Sequence, residues 1–327
     1  MRRATLILNP RAGRRRDLAK TILQLIETLR DHGIEVEASE TSGPGDAAVL
    51  AAAAAASGNE IVFACGGDGT VHEVLQGLVG TSAALGVIPM GTANALARNL
   101  GISRDPVEAA AQLSMAETIR IPVGEVSYSR PFKRQARHAA DGSRADGKRR
   151  YFTVMAGAGP DGALVYSLLA SQKSAMGRSA YYAHAARLFV SRPLPPFRVA
   201  YRLAGSDLWK EEIAVSAIAA RIGDLGGIFG RLTPGGVLHG ETLRLFIVRP
   251  PGRVSLPAWF VFSQFGAHGL NPWLRVLDVE KFRCEPLSHG RQIHAEADGE
   301  WIGSLPVSVR LIPDALSLLA PGAQPRS

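Results

Sequence analysis

The sequence predicts an α/β N-terminal domain with a parallel sheet followed by a β-rich second domain, and three observations predict it. Short apolar runs alternate with helical patterns as far as Ile121-Pro122. Beyond that point, β segments separated by Gly/Pro turns dominate. The chain has 327 residues, more than the usual single domain of about 100–200, so two domains are expected.

The first strand covers 5–8 and ends in Asn9-Pro10-Arg11-Ala12-Gly13. Leu18, Ile22, Leu25, Ile26 and Leu29 follow at helical spacing. Residues 34–38 alternate as a strand, 41–45 turn, and Asp46 is read as the cap of an alanine-rich helix over 47–56. A strand at 61–65, a helix at 71–78, a strand at 85–88 and a helix at 93–100 complete the rhythm. Such alternation gives a parallel sheet with ligands beyond the carboxyl ends of its strands. In the second half, 151–156, 197–203, 212–219, 243–248, 276–283 and 292–297 read as β segments. A helical segment, 258–265, carries Trp259, Phe260, Phe262 and Phe265, and reads as core in preference to a lipid-facing wall.

Composition narrows the function classes. Hydrophobic residues make up 46% and charged residues 20%, the balance of a folded globular chain. Cys65 and Cys284 match no CxxC or zinc spacing, so neither a disulfide framework nor a metal knuckle is expected, and a reducing, cytoplasmic compartment fits. The apolar run at 5–8 stops at Asn9-Pro10, too short for a secretory signal. No stretch reaches the roughly 18 apolar residues of a spanning helix. Of the net charge of +8, the loop 133–150 carries +5. That loop is either a solvated connection or a contact for an anionic membrane surface. Nucleic acid is not expected, because no aromatic residues interleave with the charges.

The chemistry concentrates in Cys65-Gly66-Gly67-Asp68-Gly69-Thr70, where a strand runs into a glycine loop and then a helix. Glycines let the backbone approach a phosphate, and the helix start presents N–H groups and a favourable dipole. Asp68 beside phosphates calls for a cation, so Mg²⁺, direct or through water, is the expected partner. Taken alone the segment is also compatible with a plain turn. Two further loops strengthen the phosphate reading: residues 9–13 after the first strand, and Pro89-Met90-Gly91-Thr92-Ala93-Asn94 after the fourth.

Three motifs carry a family resemblance: Asn9-Pro10-x-Ala12-Gly13, Gly66-Gly67-Asp68-Gly69-Thr70-x-x-Glu73, and Pro89-x-Gly91-Thr92-x-Asn94-x-x-Ala97-Arg98. Together they resemble the catalytic domain shared by diacylglycerol kinases, sphingosine kinases and bacterial lipid kinases. NAD kinases and phosphofructokinases have a similar Gly-Gly-Asp-Gly loop. The resemblance implies ATP and Mg²⁺ as cofactors, and an ATP site lined by Asn9, Pro10, Arg11, Gly13, Thr41, Gly66, Gly67, Asp68, Gly69, Thr70, Glu73, Gly91, Thr92 and Asn94. It implies a β-sandwich-like second domain opened by Tyr151-Phe152-x-x-x-Ala156-Gly157-x-Gly159-x-Asp161, with Asp161 near the lipid substrate. Asp298-Gly299-Glu300 is similar to the family's late acidic motif; without the resemblance it reads as a hairpin turn. Asp298, Glu300 and Asp68 are therefore the catalytic candidates, Asp298 or Glu300 as base and Asp68 as metal organiser.

The implied organisation is a catalytic domain over 1–122, to which 311–327 returns, and a lipid-substrate domain over 123–310. The expected function is ATP-dependent phosphorylation of a lipid hydroxyl by a cytoplasmic protein peripherally associated with a membrane. Departures bear on this reading. Ala95 follows Asn94 where many members have Asp, and Pro122 stands where a second Asp is common. His239-Gly240-Glu241 replaces an Asp-Gly pair associated with an accessory structural Mg²⁺ in bacterial members. They motivate the alternative of a non-catalytic nucleotide- or lipid-binding module; an NAD kinase is a further alternative that the 89–98 segment disfavours.

Overall fold

The computed structural model describes residues 1–10, 18–128, 148–160, 194–225, 231, 233–235, 237–288 and 292–322. The chain divides into two compact units, Met1–Val123 with Ile312–Ser327, and Gly124–Leu311.

The first unit alternates strands and helices: β1 (Arg2–Leu8), α1 (Leu18–Asp31), β2 (Ile34–Glu40), α2 (Asp46–Ala56), β3 (Ile61–Gly66), α3 (Asp68–Leu78), β4 (Ala84–Pro89), α4 (Ala95–Asn99) and α5 (Pro106–Ser114). The strands run parallel in the order β2-β1-β3-β4. Every residue of β3 and β4 is buried, as expected of central strands covered by helices on both faces. In register, Leu8 lies opposite both Glu40 and Cys65, and Gly66 opposite Pro89, so the four strands end level. Alanines along α2 and Gly77 on α3 let these helices approach: a Cβ at Gly77 would lie 2.3 Å from the Ala48 carbonyl oxygen.

The second unit is built from antiparallel pairs. Its strands are the end of β5 (Glu117–Tyr128), β6 (Lys148–Phe152), β7 (Met155–Ala158), β8 (Phe197–Leu203), β9 (Trp209–Ala214), β10 (Ser216–Ala220) and β11 (Leu243–Val248). Helix α6 (Gly252–Gln264) and a 3₁₀ turn (His268–Leu270) lead to β12 (Leu274–Pro286), β13 (His294–Ala297), β14 (Glu300–Ser304) and the start of β15 (Val307–Ala320). Phe152, Phe197, Tyr201 and Phe282 anchor one buried cluster, while Phe246 and Trp259 stack at 6.0 Å and fasten α6 to β11. β15 pairs antiparallel with β12 through Val307–Val309 and neighbours, and parallel with β4 at Ser317 and Leu318.

Several local expectations are corrected. Asp46 is not a cap; Gly45 precedes the helix, and the Asp46 carboxylate accepts from the backbone of Ser42 and Gly43, both 2.9 Å away, and from the Ser42 hydroxyl. These bonds hold its pKa below the ordinary carboxylate value. Helix α5 was not anticipated, although Asp105 before Pro106 is a strong start: its carboxylate accepts from Val107 and Glu108. Residues 212–219 split into β9 and β10, and 151–156 divides between β6 and β7. Lys148, Arg149 and Arg150 belong to β6, not to a loop; residues 133–147 lie outside the described residues. The aromatic helix starts earlier than expected and only Trp259 of its four aromatics is fully buried; Phe265 is exposed.

Both cysteines are buried, and burial pushes the Cys65 thiol up to about 12. A thiol so raised stays protonated and inert. The native protein is therefore expected to show no rapid reaction with a disulfide reagent at neutral pH, and two equivalents after denaturation.

Candidate active site

At the ends of β1, β3 and β4 the backbone is drawn unusually close. Asn9 N–H donates to the Cys65 carbonyl at 3.3 Å and Met90 N–H to the Gly66 carbonyl at 2.8 Å. A Cβ at Gly91 would sit 2.5 Å from the Gly67 Cα, and one at Gly66 would sit 2.4 Å from the Thr70 hydroxyl oxygen. A larger residue at Gly91 would have to move the Gly67 backbone, and one at Gly66 the Thr70 side chain on α3. Asn9 donates its side-chain amide to Thr70 Oγ1 at 3.3 Å, while Thr41 N–H reaches the Leu8 carbonyl at 2.9 Å.

Asp68, at the first position of α3, ties two of these loops together. Its Oδ2 accepts from Asn94 N–H at 2.9 Å and its Oδ1 from Ala95 N–H at 2.7 Å. Asn94 adopts a left-handed conformation (φ 46°) and closes its own turn, accepting from Gly91 N–H at 3.0 Å and donating to the Gly91 carbonyl at 2.8 Å. Placing Asp68 in the first turn of α3 also sets its charge at the favourable end of the helix dipole. Gly67 precedes α3 and has no side chain to cap it, so the first-turn N–H groups suit an anion beyond the strand ends.

The charge of Asp68 was expected to need Mg²⁺, but two backbone N–H groups supply its counterpart. Among the described residues no group of three or more His, Cys, Asp or Glu gathers to hold a metal. Mg²⁺ commonly binds through one or two carboxylates together with substrate phosphates, so these residues fit an ion carried by a nucleotide and not a protein-built cage. Glu73 was read as lining the same site; its carboxylate accepts from Ala47 N–H at 3.3 Å, at the start of α2. Arg11 and Gly13 lie outside the described residues, as does Asp161.

In the second unit, Asp298 and Gly299 form the turn between β13 and β14, both left-handed (φ 49° and 81°), the geometry of a tight type I′ hairpin. The Asp298 carboxylate accepts from Thr153 N–H at 3.0 Å, Val154 N–H at 2.9 Å and Met155 N–H at 3.0 Å. It thereby splints the interruption between β6 and β7. Three of its roughly four acceptor positions are thereby engaged by backbone donors. Glu300 is half-buried at the start of β14. Glu296, buried on β13, accepts from Gly299 N–H at 2.8 Å and steadies the same turn.

Arg221 escaped the sequence reading, although a cation within an apolar strand end was a signal. It is wholly buried and donates to the carbonyls of Gly240 at 2.8 Å, Thr242 at 2.9 Å and Leu238. Burial draws its pKa down to about 10, still charged at neutral pH. This guanidinium seats a positive charge on the carbonyls of the 238–242 turn, so the residues present do not fit an accessory divalent ion there.

The first unit therefore has the architecture of a parallel α/β domain with glycine loops at its strand ends, and the second is a β-sandwich-like domain. A family model described as the diacylglycerol kinase catalytic domain matches residues 3–126, and one described as the YegS C-terminal NAD kinase beta sandwich-like domain matches 154–320. The chain belongs to this family. It is 28% identical over 309 residues to a diacylglycerol kinase of Bacillus subtilis, covering 94% of this chain and 92% of that protein. It is 25% identical to one from Staphylococcus saprophyticus, covering 93% and 91%. A crystal structure of a diacylglycerol kinase from Bacillus anthracis shares the fold, with a TM-score of 0.67 at 20% identity, covering 97% of this chain and 96% of that one.

Two stability measurements separate these roles. Asp298→Ala is expected to cost about 3 kcal/mol in denaturant unfolding, since it strands three donors, whereas Glu300→Gln should cost about 1 kcal/mol or less. Arg221→Leu should likewise cost about 3 kcal/mol, while stripping divalent cations from the unmutated protein should leave its melting temperature unchanged.

Proposed function

We propose that the protein is an ATP-dependent lipid kinase that transfers the γ-phosphoryl group to a lipid hydroxyl. The observation that carries this reading is the pair of glycine-bearing loops at the ends of β3 and β4, fastened to one another by Asp68 at the start of α3. Family membership and the relatives named diacylglycerol kinases support it.

In this reading the backbone at 66–70 and 90–94 cradles the phosphates, and the first turn of α3 offers its N–H groups to the negative charge. Mg²⁺ bound with ATP would supply neutralising charge at the transferred group, and Asp68 keeps the two loops at the spacing the nucleotide needs. Glu300 takes the proton of the lipid hydroxyl as it attacks in line. Asp298 fixes the turn from which Glu300 projects. Diacylglycerol is the acceptor favoured by the relatives' names; sphingoid bases and ceramide share the hydroxyl beside an apolar tail.

The test is incubation with γ-labelled ATP, Mg²⁺ and a panel of micellar lipids, with NAD as a control. Label in one lipid class is expected. Glu300→Gln should lower kcat roughly 100- to 10,000-fold with the fold intact, and Asp68→Ala should abolish turnover while weakening ATP binding. Label appearing only in NADP, or undiminished turnover in both variants, would reject the assignment.

A further inference from the structure

Helix α6 wears its residues inside out. Its only hydroxyls, Ser255 and Ser263, are wholly buried, as are Leu256 and Trp259 against β11. The opposite face presents Val254 (48% exposed), Pro257, Val261 (53%) and, at the cap, Phe265 (82%). These positions recur at three- and four-residue intervals and form one stripe along the helix. The 3₁₀ turn that follows adds Leu270 at 75% exposure. A helix apolar on both faces has a second apolar surrounding besides its own core, and a contiguous stripe differs from the scattered exposed side chains of an ordinary surface.

The charges around the stripe identify that surrounding. From Thr242 through Leu277 there is no Asp or Glu. Arg253 is exposed in the first turn of α6, where the helix dipole disfavours a cation, so α6 itself gains nothing from it. At the other end the exposed Arg231 donates to the Gln264 carbonyl at 2.7 Å, and Arg249 donates to the Pro272 carbonyl at 2.9 Å. Arg244 and Arg275 are committed elsewhere, to Asp278 and Glu212. Two copies meeting through this face would bring the arginines of this segment together, and the segment 242–277 itself has no carboxylate to pair them. At 13 residues α6 is too short to cross a bilayer, and among the described residues no helix is long and apolar enough to do so.

We propose that α6 lies flat in the head-group layer of an anionic bilayer, with Val254, Pro257, Val261 and Phe265 in the acyl boundary and Arg253 and Arg231 among the lipid phosphates. The proposal rests on the lipid-kinase reading, for which it names the surface where acceptor is met. It is distinct from a contact made through residues 133–147.

The experiment is flotation of the full chain with vesicles of phosphatidylcholine, with and without phosphatidylserine, whose head group has no hydroxyl, in the absence of ATP and of any acceptor lipid. The unmutated protein should float with the anionic vesicles and release as salt is raised. The exposed-site double variant Val261→Ser/Phe265→Ser, checked for an unchanged melting temperature, should partition at least about tenfold less. Arg253→Gln should weaken binding to anionic vesicles while leaving the weak binding to neutral ones unchanged. Turnover of a short-chain, monomeric acceptor should be equal in all three proteins. Undiminished flotation of the double variant overturns the proposal, as does a dimer in sedimentation that the double variant converts to monomer without loss of flotation. Loss of flotation in the double variant, with no turnover of any acceptor by any of the proteins, supports the docking surface and rejects the kinase reading instead.

Discussion

The geometry of the first unit depends on a carboxylate that spends its charge on the backbone. Asp68 grips the N–H groups of Asn94 and Ala95, and this is possible only because Gly67 and Gly91 bring their chains nearly into contact. A side chain at Gly91 would run into the Gly67 backbone and part the loops. The same constraint keeps first-turn N–H groups of α3 turned toward the space beyond the sheet, where an anion completes what the helix start leaves unmatched. Preorganisation of this kind suits phosphoryl transfer, in which the protein positions and neutralises more than it reacts.

The second unit repeats the device. Asp298 binds three successive N–H groups across the break between β6 and β7, which sets the β13–β14 turn against β7. In both units an aspartate embedded in a glycine motif acts first as a clamp. Motif reading assigns such residues to chemistry because acidic side chains in glycine loops accompany phosphate and metal; the hydrogen bonds show a structural task beneath that assignment. Glu300, two positions beyond Asp298, begins strand β14 instead of bridging two others.

Much of the fold was legible. The parallel strands of the first unit announce themselves as apolar runs ending in glycine turns, and β8 and β11 match the expected limits closely. What escaped had physical reasons. The Asp46 side chain turns back to Ser42 and Gly43, a competition between local turn and helix cap that residue type alone does not decide. Short strands such as β7 and β10 end at bends whose position depends on partners distant in sequence. Among the described site residues, Asn9 reaches Thr70 and Asp68 reaches Asn94 at the strand ends, whereas Glu73 turns to α2 through a helix packing that Gly77 and the alanines permit. Arg221 could not be read because its partners are carbonyls, which carry no mark in a sequence.

The dual pairing of β15 bears on how the molecule is made. Residues 307–309 join the antiparallel partner β12, while 317 and 318 lie beside β4, a strand synthesised more than two hundred residues earlier. During translation the parallel sheet therefore holds β4 as an edge, with its ladder groups exposed, until residue 318 has left the ribosome. The first unit cannot finish as an independent nascent domain, and the interval in which that edge waits grows with every residue inserted between. Arg120, which donates to Ser317 Oγ at 3.1 Å and to the Thr81 carbonyl at 3.2 Å, then latches the late strand into place.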